Sequence, residues 1–302
     1  MPLTATVSAS SANLGPGFDC LGLAIDLDLV VHARPADRDR YDYRGDGAVD
    51  AGPDNPVHRG FRAAFAALGR PAPPVHLEAE NPIPLARGLG SSSAALVAGA
   101  MLGDAAAGGG LGLDGAFQLT ADLEGHPDNV APALFGGLAV CARDDARWMA
   151  RILPWPPSWR LLYGVPAFEL KTEEARALLP DRIDRSEAVL TAGRVSFWPL
   201  AVLRDDPDLL RFASRDVTHE PYRHPLLPGF AEAQADLRAA GAYAAYLSGA
   251  GPTLGVVCAA SDVSACSERL LAYAGPNGRV LEPSIGRGAR VSGAWAPVAA
   301  RS

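Results

Sequence analysis

The segment Pro84-Leu85-Ala86-Arg87-Gly88-Leu89-Gly90-Ser91-Ser92-Ser93-Ala94 is a glycine loop that runs straight into an alanine-rich apolar stretch. Glycine lets backbone N–H groups come close to an anion. The serines fall at the N-cap and first turn of the expected helix, where amide donors are unpaired and the helix dipole is positive. Such a segment suits a phosphate. It is not a Walker A loop, because no lysine follows the second glycine, nor a dinucleotide fingerprint, because Ser93 stands where the third glycine of G-x-G-x-x-G belongs. A tight loop capping a buried helix accounts for the same residues equally well.

Lys171 is the only lysine in the chain. It is the one candidate for any mechanism that needs an active-site lysine; with no lysine in the loop itself, a nucleoside triphosphate bound there would have its charge met by backbone amides, Arg87 and a divalent metal. A hydroxyl with a carboxylate is a typical Mg²⁺ pair, the remaining positions going to water and phosphate oxygens. Ser91 is the hydroxyl candidate and Glu124 the carboxylate candidate. Glu124 ends a helical run and enters the polar turn Glu124-Gly125-His126-Pro127-Asp128-Asn129; taken alone, it also reads as a solvated helix-end residue. His126 with Asp128 suggests a dyad, but no serine or cysteine sits in a nucleophile elbow, and a structural turn histidine is the favoured reading.

A second polar loop, Ser10-Ser11-Ala12-Asn13-Leu14-Gly15-Pro16-Gly17-Phe18-Asp19, lies between two strand-like runs. Its Gly-Pro-Gly turn offers the amide of Asn13 and the carboxylate of Asp19 to a small polar ligand, or to its own backbone as Asx turns. A third loop, Leu247-Ser248-Gly249-Ala250-Gly251-Pro252-Thr253, precedes an apolar strand and is expected to pack against the first glycine loop.

The elements that must position these loops are legible in outline. The 302 residues carry 48% hydrophobic and 20% charged residues, which excludes low-hydrophobicity disorder and gives a prior of about two domains. Strand-like runs at 3–9, 21–33, 75–79 and 137–142 alternate with helix-like runs at 57–68, 91–104 and 114–124. After the proline-rich stretch at 154–159, strands are expected at 161–165 and 254–258, and helices at 172–179, 186–203, 230–240 and 262–272. The chain is thus of the α+β class, divided into domains 1–155 and 156–302, with Trp155 and Trp159 packing at the junction.

With 34 acidic against 27 basic side chains the net charge is −7, which argues against nucleic acid and anionic membrane as partners. The four cysteines lack metal-site spacing, the N-terminus lacks a signal-peptide pattern, and no long apolar run is present, so a cytoplasmic location is expected. His219 and His224, five apart, are off the helical face a metal pair would need.

Taken together, the Asn13 to Asp19 loop, the Pro84 to Ala94 loop, the Glu124 to Asn129 turn and Ser248 to Thr253 resemble the homoserine kinase family of the GHMP small-molecule kinases, over nearly the whole chain. The resemblance implies an N-terminal ribosomal-protein-S5-like domain against a C-terminal ferredoxin-like α/β sandwich, with the site in the cleft between them. It also implies ATP bound along Pro84 to Ala94, Mg²⁺ on Ser91 and Glu124, and L-homoserine held by Asn13, Asp19, Asn129, Thr172, Arg176 and Arg223. Asp19 would take the ammonium, and the arginines a carboxylate. Asp19, Asn129 and Arg176 would serve the transfer itself, giving O-phospho-L-homoserine on the route to threonine, without an obligatory base; Asp128 is a lower-ranked candidate base. A homodimer is the assembly left to test. A GHMP kinase for mevalonate or a sugar would lack a reason for the Asn13 to Asp19 loop. A nucleotide sensor without catalysis would have no use for the combined metal and acceptor residues.

Overall fold

A computed structural model describes residues 2–295. The chain forms β1 (Leu3–Asn13), β2 (Gly17–Pro35), β3 (Arg40–Gly45), α1 (Pro56–Ala67), β4 (Val75–Asn81), α2 (Ser91–Ala106), α3 (Gly112–Glu124), α4 (Val130–Phe135), β5 (Leu138–Asp144), β6 (Arg147–Leu153) and β7 (Trp159–Val165). It continues through α5 (Thr172–Ala177), α6 (Arg185–Arg204), α7 (Pro207–Ala213), α8 (Glu220–Arg223), α9 (Phe230–Ala239), β8 (Ala244–Leu247), β9 (Leu254–Ala259), α10 (Val263–Ala274), β10 (Arg279–Leu281) and β11 (Arg290–Ser292).

Two sheets organise these elements. The first has β11-β1-β2-β4-β3 as its main path, with β5 on β2 and β6 on β5; the second runs β10-β7-β9-β8 and is antiparallel throughout. Within the second half the strand order is therefore fourth-first-third-second, the β-α-β-β-α-β arrangement of a ferredoxin-like sandwich. The expected boundary near 155 falls between the sheets, and Trp155 and Trp159 pack edge to face there, 5.6 Å apart. The division into 1–155 and 156–302 nevertheless needs correction at its far end. Residues beyond β10 return to the first sheet, where β11 pairs with β1 from Thr4↔Ser292 to Thr6↔Arg290. Its short Arg-Val-Ser sequence carries almost no strand signal of its own.

Helix α2 is apolar nearly all round, as a helix between sheet and helix must be, and buries Ala94, Leu96, Val97, Ala98, Ala100 and Leu102. It meets α1 on Gly99 and Gly60, where an added Cβ would run into the backbone at Val57 and Leu96 respectively. This backbone-to-backbone approach fixes the axis of α2, and with it the position of the glycine loop at its N-terminus. No helix among the described residues is long and apolar enough to cross a membrane.

Candidate active site

The loops singled out in the sequence converge on one cleft of about 700 Å³, lined by Asn13, Asp19, residues of the glycine loop, Glu124, Asp128, Asn129, Thr172, Arg176 and Arg223. The glycine loop is anchored before it reaches the helix. Ser10 N–H donates to Leu89 O (3.2 Å), Leu170 N–H to Ala86 O (3.0 Å) and Ser248 Oγ to Gly88 O (2.7 Å). Gly88 and Gly90 have φ of +75° and +68°, and a side chain at either would strike Ser248 O or Ser10 Oγ. The loop at Ser248 thus packs on the glycine loop, as expected from the sequence.

Gly90 caps α2 without a side-chain hydrogen bond. The first ladder bond runs from Ala94 N–H to Gly90 O (2.9 Å), so the N–H groups of Ser91, Ser92 and Ser93 lie outside the ladder at the positive end of a 16-residue helix. Ser93 Oγ donates to Glu124 Oε1 at 2.6 Å. Ser91 Oγ instead accepts from Asn81 Nδ2 at 3.0 Å. The hydroxyl placed against the candidate metal carboxylate is therefore that of Ser93, not Ser91. Three consecutive serines differ by about 100° each around a helix, and only the packing of α3 on α2 decides which one meets Glu124.

Arg87, expected to face the triphosphate, lines the cleft with a guanidinium already engaged by the protein. Its guanidinium donates to Leu85 O (2.6 Å), Pro166 O (3.2 Å) and Ala167 O, and pairs with Glu169 at 3.1 Å. It ties the loop to the segment after β7. Asn13 is likewise committed: Nδ2 donates to Gly249 O (2.9 Å) and Oδ1 accepts from Asp19 N–H (3.2 Å). That bond secures the backbone of Asp19, which sits at φ +56°.

Asp19 and Arg176 form a bidentate pair across the cleft, with Nη2 to Oδ1 at 2.6 Å and Nη1 to Oδ2 at 3.1 Å. The Phe18 ring lies 5.1 Å from the Arg176 guanidinium and 5.4 Å from that of Arg223. Arg223 is buried, donating to Gly249 O (3.1 Å) and sharing a contact with His219 Nδ1 (3.1 Å). Burial, reinforced by the like charge of Arg176, brings its pKa down to about 10. Asn129 caps α4 with Oδ1 taken by Ser10 Oγ at 2.9 Å, which leaves its amide nitrogen for a ligand. Thr172 opens α5 at the exposed rim. His126, read from sequence as a turn residue, lines the cleft and pairs through Nδ1 with Asp128 Oδ1 at 2.6 Å. Burial opposes its charge, but the hydrogen bond and the negative charge of Asp128 outweigh it and raise the imidazole pKa.

His219 and Glu220 support the site in ways the sequence did not announce. His219 Nε2 contacts Gly15 O at 2.6 Å. Glu220 accepts from Leu247 N–H (2.7 Å) and Gln234 Nε2 (2.8 Å), joining α8, which carries Arg223, to the strand that leads into Ser248. Burial, with the charge of Asp216, pushes its pKa up to about 7 against the opposing effects of those donors and Arg238. A carboxyl that is less acidic in the folded than in the unfolded chain holds its proton better when folded. This contribution to stability is therefore complete below pH 4.5 and is lost as pH rises through about 7. Glu220→Gln is expected to flatten that slope, gaining on the order of 3 kcal/mol relative to the wild type between pH 4.5 and 8. Urea midpoints of both proteins at several pH values measure it, and parallel profiles would refute it.

Comparison with known proteins finds relatives over most of the chain. The model of the GHMP kinases N terminal domain matches residues 55–137, and that of the GHMP kinases C terminal domain matches 201–276. The chain is 47% identical over 282 residues to a homoserine kinase of Thermus thermophilus, covering 93% of this chain and 96% of the relative. It is 45% identical to one from Moorella thermoacetica, covering 85% and 88% respectively. A crystal structure of homoserine kinase from Cytophaga hutchinsonii superposes with a TM-score of 0.84 at 26% identity, over 96% of this chain and 97% of that one. The mevalonate kinase of L. major shares the fold, with a TM-score of 0.64 at 12% identity over 95% of each chain.

Proposed function

The chain belongs to the GHMP kinases and, within them, to the homoserine kinase family, and we propose that the cleft described above is where it transfers the γ-phosphoryl group of ATP to the side-chain hydroxyl of L-homoserine. The products are ADP and O-phospho-L-homoserine. The observation that carries the acceptor assignment is the Asp19–Arg176 pair in the same cleft as the open N-terminus of α2. A zwitterionic amino acid offers an ammonium to Asp19 and a carboxylate to Arg176, exchanging one ion pair for two. A sugar or an uncharged polyol offers neither.

For the nucleotide, the free amides of Ser91, Ser92 and Ser93 are donors for phosphate oxygens, and the left-handed glycines let the backbone approach them. The Ser93–Glu124 pair supplies oxygen donors of the type Mg²⁺ takes. Magnesium bound there would neutralise charge on the phosphates and draw them into line. The chain's own part is alignment. Asn129 offers its amide nitrogen to the acceptor hydroxyl, while Asp19 and Arg176 fix the other end of the amino acid. Asp128 already accepts from His126 and is nearly inaccessible, at 2% exposure. Proton removal ahead of transfer is therefore not assigned to it; positioning and charge neutralisation suffice for phosphoryl transfer.

Release of ADP with Mg²⁺ and each of L-homoserine, L-serine, L-threonine and mevalonate tests this reading. Homoserine should give the highest kcat/KM, with little turnover when acceptor or metal is omitted. Faster turnover of mevalonate would refute the acceptor assignment.

A further inference from the structure

The triphosphate brings several negative charges into a cleft whose arginines are largely committed. Arg87 donates to Leu85 O, Pro166 O and Ala167 O and pairs with Glu169. Arg176 holds Asp19, and Arg223 is buried on Gly249 O and His219. Two cations lining the cleft, Arg59 and Lys171, make no ion pair among the described residues. Both are exposed. Arg59 projects from α1. Lys171 is the only lysine among 302 residues and stands beside Leu170, whose N–H grips Ala86 O of the glycine loop at 3.0 Å. Its backbone is extended, with ψ of 139°, just ahead of α5. A flexible four-carbon stem rooted beside the glycine loop, with an ammonium that makes no ion pair among the described residues, has the reach to meet phosphates bound at that loop.

We propose that Lys171 neutralises charge on the bound triphosphate, taking the role the sequence first suggested for Arg87. The inference rests on the ATP-dependent kinase reading above and adds a residue to it. Lysine is a compact point charge that suits phosphate oxygens without the planar fork a carboxylate favours. Arg176 already provides that fork at the acceptor end. The two halves of the chain then share the nucleotide: the first supplies the amides of α2, and the second supplies the cation.

The chain's single lysine makes a direct test possible. Acetylation of the full-length protein with an N-hydroxysuccinimide ester, followed by peptide mass mapping, reads Lys171 separately from the N-terminal amine and needs no turnover. MgATP should slow acetylation of Lys171 severalfold, and L-homoserine alone should leave it unchanged. In steady-state kinetics, Lys171→Met should raise the ATP KM about 10-fold or more, as expected for loss of a charged hydrogen bond. Lys171→Arg should recover part of this loss, and neither variant should change the homoserine KM. Acetylation indifferent to MgATP, or wild-type ATP kinetics in a folded Lys171→Met protein, would overturn the proposal. So would protection by homoserine alone, since the ammonium would then serve the acceptor carboxylate. A wild-type protein that releases no ADP with homoserine would count against the kinase reading instead and leave the labelling result readable.

Discussion

Glu124→Gln is expected to lower kcat by roughly 100-fold or more while leaving the thermal melt close to that of the wild type, because it removes an anionic oxygen donor at the phosphates rather than a core contact. Ser93→Ala should follow it, with a loss of about 10- to 100-fold, since Ser93 is the hydroxyl 2.6 Å from Glu124. Ser91→Ala should be milder, within about tenfold, because Ser91 Oγ accepts only a neutral hydrogen bond from Asn81. Titrating Mg²⁺ against initial rate for all three proteins separates the roles. The apparent metal affinity should weaken in Glu124→Gln and Ser93→Ala but not in Ser91→Ala. Reversed effects would put the metal on the Ser91 hydroxyl and equal effects would favour neither serine; either result contradicts the assignment of the metal to Ser93.

At the acceptor end, Arg176→Met should raise the homoserine KM about 10- to 150-fold, the worth of a charge-assisted hydrogen bond of roughly 1.5 to 3 kcal/mol. Asp19→Asn should fall in the same range. The ATP KM should hold in both, because neither residue is assigned to the nucleotide. The paired double variant should lose less than the sum of the single effects, since each single substitution leaves its partner's charge unmatched in the cleft. If Asp19 merely capped its own turn, Asn would accept the same bond and both KM values would stay put. Steady-state kinetics with each substrate varied separately distinguishes these outcomes.

Much of this arrangement was legible in the sequence, for reasons specific to each element. Helix α2 announces itself through its unbroken apolar run, and the glycine loop through residue types that only a close backbone approach requires. The convergence of the three loops follows from their placement at strand ends and from their resemblance to a known family. Features that depend on one element's rotation against another were not legible. The choice of Ser93 over Ser91 is set by how α3 lies on α2, and the turning of Arg87 toward Pro166 and Ala167 depends on where the second half of the chain docks. The strand β11 was invisible because its pairing with β1 joins residues nearly a whole chain apart. Buried Glu220 and His219 read as ordinary polar residues, since nothing in their neighbours in sequence records that they support Leu247 and Gly15.

In the chemistry assigned to the cleft, the phosphoryl group reaches the side-chain hydroxyl of homoserine rather than its carboxylate. Phosphorus NMR of the product formed from ATP, Mg²⁺ and L-homoserine, followed by treatment with neutral hydroxylamine, tests it directly. A phosphate monoester coupled to the side-chain methylene protons and resistant to hydroxylamine is the predicted result. A product that hydroxylamine converts to a hydroxamate would be an acyl phosphate and would contradict transfer to the hydroxyl.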